Sequence, residues 1–245
     1  MRKALPLLLL PLALLAGRAF AAPDIHLTGR FDADDFVSVH GKSQAANNGK
    51  VEIWIGADRV RSEGAGITKI LRLDQKRLYS LDATRRVYAV EKLKSRGHLW
   101  ERVPSKDAIS LDKEAQELMR PRFTPLSTHE ARKIGSWQAE RYDGKVASQM
   151  QQGRYRVSWW LAPEVKVEDQ AYRQLLLLET PELEPLLENP GFPVLRETFV
   201  EQPGYEVKSS VEIQKIETRE APAGLYDPPD GYRLVGLQEL MFPGE

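Results

Sequence analysis

The sequence predicts a mainly β (α+β) fold that is built on an antiparallel sheet. Between residues 51 and 91, short runs of β-branched, aromatic and aliphatic residues alternate with turns that contain Gly and Asp, which is typical of consecutive short strands. No connection in this stretch is long enough for the crossover helix that parallel neighbours require, so we expect an antiparallel meander. Amphipathic stretches later in the chain predict a few helices.

Strands are predicted before, within and after the meander. The strands up to its end are residues 24–31, 36–40, 51–55, 60–62, 67–73, 78–81 and 87–90. The later strands are residues 137–142, 145–150, 155–161, 194–200 and 205–218. Asp143-Gly144 is a hairpin turn signal between the first two of these later strands. Residues 92–104 are basic and irregular, residues 121–125 are a linker, and residues 227–232 cap the fold.

Helical periodicity occurs at three places. Residues 168–179 give the strongest pattern, with apolar residues at i, i+4 and i+7, and residues 181–187 extend it after a kink. Residues 107–120 repeat the pattern and stop at Pro121. The tail at residues 237–242 has apolar residues at helical spacing but is too short to form a stable helix alone, so we expect it to be loosely held.

Both faces of the predicted meander are apolar, because alternate residues of a strand point to opposite sides. One face carries Trp54, Ile70, Tyr79, Leu81, Tyr88 and Val90. The other carries Val51, Ile53, Ile55, Leu71, Leu73, Leu78 and Val87. Such a sheet must cover both faces, by packing a second layer, by curling round its own interior or by leaving a groove for a ligand.

The first 21 residues have the features of a secretory signal peptide. Arg2 and Lys3 form a positive start, residues 4–15 an apolar core, and Ala19-Phe20-Ala21 a small-x-small cleavage site. The apolar core is shorter than the roughly 20 residues that span a bilayer. We therefore expect export to a bacterial periplasm and cleavage after about Ala21, which leaves residues 22–245 as a single domain.

The amino-acid composition limits the classes of partner that the protein is expected to bind. Without Arg2, Lys3 and Arg18 the basic count falls from 35 to 32 against 35 acidic residues, a net charge of −3 that does not favour nucleic acid as a partner. The chain has no cysteine, which excludes disulfides, thiolate metal sites and attachment of lipid to a mature N-terminal cysteine. Peripheral contact with a membrane is compatible with this composition.

No constellation of residues predicts catalysis or a metal site. The four histidines show no pairing at i+3 or i+4, and there is no G-x-S-x-G motif. Gly64-Ala65-Gly66 lacks the strand-then-helix setting of a phosphate loop, and the aspartates at residues 34–35 and 227–230 lie where turns are capped. We expect a protein that is not an enzyme and that uses no cofactor or metal.

Four motifs give the chain a resemblance to a known family. They are Trp54-x4-Arg59-x-Arg61-Ser62-Glu63, Leu71-x-Leu73-Asp74, Leu81-Asp82-x5-Tyr88 and Leu225-Tyr226-Asp227-Pro228-Pro229-x-Gly231-Tyr232. With the N-terminal signal, they resemble the periplasmic LolA/LolB/RseB-like superfamily and, within it, the outer-membrane lipoprotein-sorting-like branch. The resemblance spans about residues 25–235. It implies a curved antiparallel half-barrel whose concave side is covered by helices, with an apolar cavity for acyl chains or lipidated peptides.

Three features depart from this family. Residues 94–133, with their predicted helix, have the character of an insertion, no lipid-anchor cysteine is present, and no second domain follows. A short apolar tail at residues 236–245 ends the chain. Fold therefore transfers through the resemblance more readily than function.

The main hypothesis is a non-enzymatic carrier for lipid, lipoprotein acyl chains or a hydrophobic partner segment. The cavity candidates are Trp54, Ile70, Tyr79, Leu81, Tyr88, Val90, Tyr155 and Trp159. Arg59 and Arg61 are candidates for a basic rim that binds lipid phosphate or a peptide carboxylate. The alternative for these residues is ordinary core and solvated turns. A second hypothesis is a scaffold or signalling partner in a cell-envelope complex, and a hydrolase is a third.

Overall fold

A computed structural model describes most of the chain between residues 23 and 241. The described residues are 23–34, 36–37, 43–44, 47–64, 66–104, 122–126, 128, 130–147, 154–181, 184–187, 189–202 and 205–241. The predicted signal peptide at residues 1–21 and the predicted helix at residues 107–120 lie outside them. Within the described part of the chain, no helix is long and apolar enough to cross a membrane.

Of the 16 strands in the described part of the chain, 14 form one open sheet, which is antiparallel except for one short edge pair, and the other two, Phe36–Val37 and Ser43–Gln44, pair only with each other. The strands are β1 (Asp24–Ala33), β2 (Phe36–Val37), β3 (Ser43–Gln44), β4 (Asn47–Ile55), β5 (Arg59–Gly64), β6 (Ile67–Arg72), β7 (Arg77–Asp82), β8 (Val87–Arg96), β9 (Leu99–Arg102), β10 (Arg122–Leu126), β11 (Ala131–Ile134), β12 (Trp137–Ala147), β13 (Arg154–Ala162), β14 (Phe192–Gln202), β15 (Tyr205–Arg219) and β16 (Arg233–Leu234). The helices are α1 (Gln170–Glu179), α2 (Glu184–Leu187) and α3 (Leu237–Met241). The prediction of a mainly β, antiparallel fold is confirmed.

The strand order places the predicted meander in one half of the sheet. The order is β10-β12-β13-β14-β15-β1-β4-β5-β6-β7-β8-β16, with β11 beside β12 and β9 beside β8. Strands β4 to β8 follow one another as predicted, and the β14–β15 hairpin pairs through β15 with β1. The first strand of the chain therefore joins the two halves of the sheet.

Three local predictions were wrong. Residues 92–104 are not irregular, because β8 continues to Arg96 and turns at Gly97, with φ 63°, into β9. The predicted linker at residues 121–125 is largely β10, which pairs with β12. The Asp143-Gly144 pair does not turn, because β12 runs straight through it. Glycine is needed there because a β-carbon on Gly144 would overlap the ring of Phe123 on β10.

The larger of the two main apolar clusters packs against the face that carries Val51, Ile53 and Ile55, which we call the core face. Strands β13 and β14 contribute Trp159, Trp160 and Val194 to this cluster among others. Helix α1 covers part of it with one side, whose buried apolar residues are Ala171, Tyr172, Leu175, Leu176 and Leu178. The predicted amphipathic stripe of this helix is therefore confirmed. Val87 departs from its predicted group and packs instead with Ala89, Val235 and Leu240.

The opposite side of the meander, which we call the aromatic face, is covered by the end of the chain. After β15, residues 221–235, which we call the strap, cross this face and place Ala221, Leu225, Tyr226 and Tyr232 on it. The strap ends in β16, which pairs in parallel with the edge of β8. Helix α3 then buries Leu240 against Val87 and Ala89.

Candidate functional site

The aromatic face brings together six of the eight predicted cavity residues. Trp54, Ile70, Tyr79 and Leu81 are buried there, and Tyr88 and Val90 pack beside them. Trp159 lies elsewhere, fully buried in the cluster of the core face. The side chain of Tyr155 lies outside the described part of the structure. The face is filled by the strap, because Tyr226 is only 5% exposed and packs among these residues.

The two predicted rim arginines contact the strap. The guanidinium of Arg59 lies 4.6 Å from the centroid of the Tyr226 ring, and its Nη2 is 3.6 Å from Oδ1 of the buried Asp24. Arg61 donates a hydrogen bond of 3.0 Å from Nη1 to the carbonyl of Leu225 and is ion-paired with Glu63. Burial, with the added negative charge of Asp24, raises the pKa of Tyr226. Both cations therefore hold the chain's own C-terminal segment.

A third arginine, which the sequence analysis did not single out, continues this row. Arg72 donates from Nη1 to the Tyr226 carbonyl at 3.3 Å and to Oδ1 of Asp227 at 2.7 Å. Its Nη2 pairs with Asp74 at 2.7 Å. The hydrogen bond between them lowers the pKa of Asp74 and raises the pKa of Arg72. Nothing in the local sequence around Arg72 indicates this contact, because its partners lie more than 150 residues away.

Arg85 fixes the tail in a similar way. Its guanidinium donates to the carbonyls of Glu239 and Leu240, the latter at the end of α3. The carboxylate of Asp82 positions it, accepting from the backbone N–H of Arg85 at 2.9 Å and from its Nε at 2.7 Å. These hydrogen bonds lower the pKa of Asp82. Loose attachment of the tail stays a prediction, although its helix has this anchor and one buried leucine.

A histidine lies beside the aromatic face. His26 is buried, stacks on Trp54 with ring centroids 4.1 Å apart, and its Nε2 lies 2.9 Å from Oε1 of Glu52. The same oxygen accepts a hydrogen bond from Nε1 of Trp54, and the Nδ1 atom of His26 is 3.9 Å from Glu217. Although partial burial opposes it, hydrogen bonds from Trp54 and His26 hold the pKa of Glu52 below its ordinary value. This cluster orients the Trp54 ring that underlies the strap.

A groove of about 530 Å³ lies between the β8–β9 hairpin, the C-terminal end of α1 and β10. Its apolar walls are Leu99, Trp100, Phe123, Leu177, Leu178, Pro181 and Pro185. The sequence analysis missed this site, because Trp100 lies in the stretch read as irregular and Phe123 in the stretch read as a linker. The only feature of the sequence that could have indicated the groove is the presence of these two aromatic residues in otherwise polar segments.

Polar contacts join the hairpin to the helix beside this groove. The buried side chain of Gln174 on α1 accepts a hydrogen bond from the backbone N–H of Trp100 at 3.2 Å and donates one to the carbonyl of His98 at 3.1 Å. Arg102 donates to the Leu178 carbonyl and pairs with Glu179 at 3.0 Å. These contacts hold the hairpin against the helix, and apolar side chains line the groove beside them.

A second cavity, of about 520 Å³, lies at the N-terminal end of α1. It is bordered by residues 165–170, Arg173, Gly191 and Phe192. Arg173 pairs with Asp169 at 2.9 Å, and burial raises the pKa of Asp169. Charged and backbone groups dominate these walls. Across the described ranges, no three His, Cys, Asp or Glu side chains come together as a metal site.

Comparisons with known proteins show similarity at the level of structure. No family model and no curated protein match the chain. Among solved structures, a DUF1329 family protein from Desulfovibrio piger is similar with a TM-score of 0.23 and 8% sequence identity. The match covers 84% of this chain and 89% of that chain.

Proposed function

We propose that the protein is a non-enzymatic periplasmic carrier that binds an acyl chain of a lipid or lipoprotein in the groove beside the β8–β9 hairpin. The observation that carries the proposal is the groove itself, with Trp100 and Phe123 among its apolar walls. Its volume falls in the range of about 300–1,000 Å³ that small-molecule sites occupy. Burial of apolar surface is the principal driving force that such walls offer.

The charges around the groove support an apolar chain as the ligand. Arg96 pairs with Glu101 at 2.9 Å, and Arg102 pairs with Glu91 at 2.9 Å as well as with Glu179. Cations that are already paired offer less attraction to a headgroup phosphate than free ones. We infer that affinity comes mainly from the acyl chain.

The resemblance to the LolA/LolB/RseB-like superfamily supports the same proposal. In that family a half-barrel and its covering helices enclose an acyl-binding cavity, and we propose the same arrangement for this sheet and α1. The site differs from the cavity residues that the sequence suggested. The strap fills the aromatic face, whereas Trp100, Phe123 and Leu178 of the groove pack with the larger cluster. The N-terminal signal pattern supports the periplasmic setting.

Fluorescent fatty-acid binding tests this proposal. We expect the parent protein to bind 11-dansylaminoundecanoic acid, and Leu177→Glu to weaken binding tenfold or more, because a carboxylate in an apolar wall must be desolvated when the chain enters. Leu234→Glu is the matched control, since Leu234 is 59% exposed and lies on β16, which pairs with the first two residues of β8. The proposal would be refuted if the parent protein did not bind the fatty acid, or if the parent and Leu177→Glu bound it equally well.

A scaffold or signalling partner in an envelope complex is the second candidate. The observation that favours it is the exposure of Leu234, Leu237 and Met241 at the end of the described chain. Mass spectrometry of material that co-purifies from the periplasm separates the two functions. A bound lipid supports the carrier, and a stoichiometric protein without lipid supports the scaffold.

A further inference from the structure

We propose that the aromatic face is a second binding site, specific for a short peptide segment that forms turns, which the strap of the same chain occupies. The segment that fits it has an apolar residue, a tyrosine and an acidic residue in succession. In the strap these are Leu225, Tyr226 and Asp227. The ligand in trans is a segment of a partner protein with this chemistry.

The contacts on the strap are those by which proteins recognise peptides. Arg61 and Arg72 donate to the backbone carbonyls of Leu225 and Tyr226, which every peptide presents. The Tyr226 ring lies against the guanidinium of Arg59, and the Asp227 carboxylate pairs with Arg72. Guanidinium groups suit this role because they bind carboxylates through charge-assisted hydrogen bonds and stack on aromatic rings. None of these contacts depends on a covalent link between the segment and β15.

The strap is attached to the sheet through few backbone hydrogen bonds. Those within it close local turns, from Leu225 to Pro222, from Asp227 to Gly224 and from Tyr232 to Pro229. The backbone reaches the sheet at its far end, where the N–H of Arg233 donates to the Arg86 carbonyl just before β8 and the N–H of Val235 donates to the Tyr88 carbonyl on β8. A strand that belonged to the sheet would instead form a ladder along its whole length.

Only one side chain in the middle of the strap is buried. From residue 221 to residue 232, Tyr226 alone is buried, and the others are half-buried or exposed. Segments with few buried contacts open locally at a lower free energy than the core does. Opening of the strap would uncover Trp54, Ile70, Tyr79 and Leu81 together.

Competition between the strap and a partner segment follows a simple relation. Because the strap is tethered to the sheet, it acts at an effective concentration in the millimolar range. We therefore expect it to occupy the aromatic face in most molecules of the parent protein. The apparent Kd of a peptide in trans equals its intrinsic Kd divided by the fraction of open molecules. A change that weakens the strap and leaves the face intact therefore tightens binding in trans.

The test uses the full chain and a fluorescein-labelled synthetic peptide with the sequence of residues 221–235. We expect weak binding to the parent protein by fluorescence anisotropy, and binding at least tenfold tighter to a Tyr226→Ala variant. The same peptide carrying the Tyr226→Ala change should not bind either protein. Trp137→Ala is the matched control, because it removes a half-buried aromatic from β12 and leaves the strap and the aromatic face untouched.

Several results would overturn the proposal. These are no peptide binding to parent or Tyr226→Ala, equal gains for Tyr226→Ala and Trp137→Ala, or loss of cooperative unfolding in Tyr226→Ala, which would make Tyr226 part of the core. The carrier function is tested separately, because the fatty-acid groove lies beside α1 and β9 and shares no residue with the aromatic face. Loss of fatty-acid binding alone would leave the peptide site standing.

Discussion

At the scale of single residues, a side chain on one strand can determine which residue the neighbouring strand carries opposite it. At Gly144 there is no room for a side chain, because the Phe123 ring of the neighbouring strand fills that space. Sequence reasoning treats such residues through local rules, so an Asp-Gly pair predicts a turn. Here the neighbouring strand overrides the local rule.

Gly144→Ala should lower the free energy of unfolding by about 1–3 kcal/mol, because the added methyl group overlaps the Phe123 ring and forces it to shift. Gly49→Ala is the control, since nothing lies within 4 Å of its added β-carbon. Urea unfolding of both variants measures the difference. Adding Phe123→Ala should cancel much of the Gly144→Ala effect, and an additive result would show that the ring is not the cause.

The Asp82 carboxylate should make stability depend on pH. Because its pKa is lowered in the folded protein, its contribution is complete above the ordinary aspartate pKa of about 4 and is lost as the pH falls through the lower folded value. We expect Asp82→Asn to reduce the difference in unfolding free energy between pH 7 and pH 3. Asp230→Asn, at an exposed position, is the control. If Asp82→Asn shows the same difference in unfolding free energy between pH 7 and pH 3 as the parent protein, Asp82 does not contribute to the pH dependence.

At the scale of elements, the period of the hydrophobic pattern predicted strands and helices well, whereas the polarity of a segment predicted them poorly. The alternation in the meander assigned Trp54, Ile70 and Tyr79 to one face correctly, because period 2 is a geometric property of strands. The β8–β9 hairpin was missed because edge strands carry charges that are also typical of loops. Strand β10 was missed because Pro121 and Pro125 are typical of a linker. The helix α1 was predictable because its stripe persists over the whole element.

Gln174 should decide whether the β8–β9 hairpin stays docked on α1. Gln174→Ala removes two hydrogen bonds in a buried position and leaves the Trp100 N–H without its partner, which should cost about 1–3 kcal/mol of stability. Hydrogen exchange of residues 97–102 should become faster, while exchange in β4 and β5 should not change. Gln170→Ala, exposed on the same helix, is the control. Faster exchange throughout the sheet would indicate general destabilisation instead.

At the scale of the whole molecule, a sheet that is apolar on both sides explains the course of the chain. Helix α1 covers part of the core face and the strap covers the aromatic face, so neither face of the meander is left bare. The sequence showed that both faces need cover but not which segment supplies it. That answer depends on contacts between residues far apart in the chain, such as Arg61 and Leu225, which leave no local pattern. The groove depends on the same kind of contact, between Trp100 and Gln174.

The most direct test of the carrier proposal is to locate a bound acyl chain. A diazirine-labelled palmitic acid, bound to the full-length protein, irradiated and mapped by mass spectrometry, reports which residues lie beside the chain. We expect cross-links in the β8–β9 hairpin and at the C-terminal end of α1, around Trp100 and Leu177. Cross-links confined to the aromatic face around Trp54 and Tyr79, or none above background, would contradict the proposal.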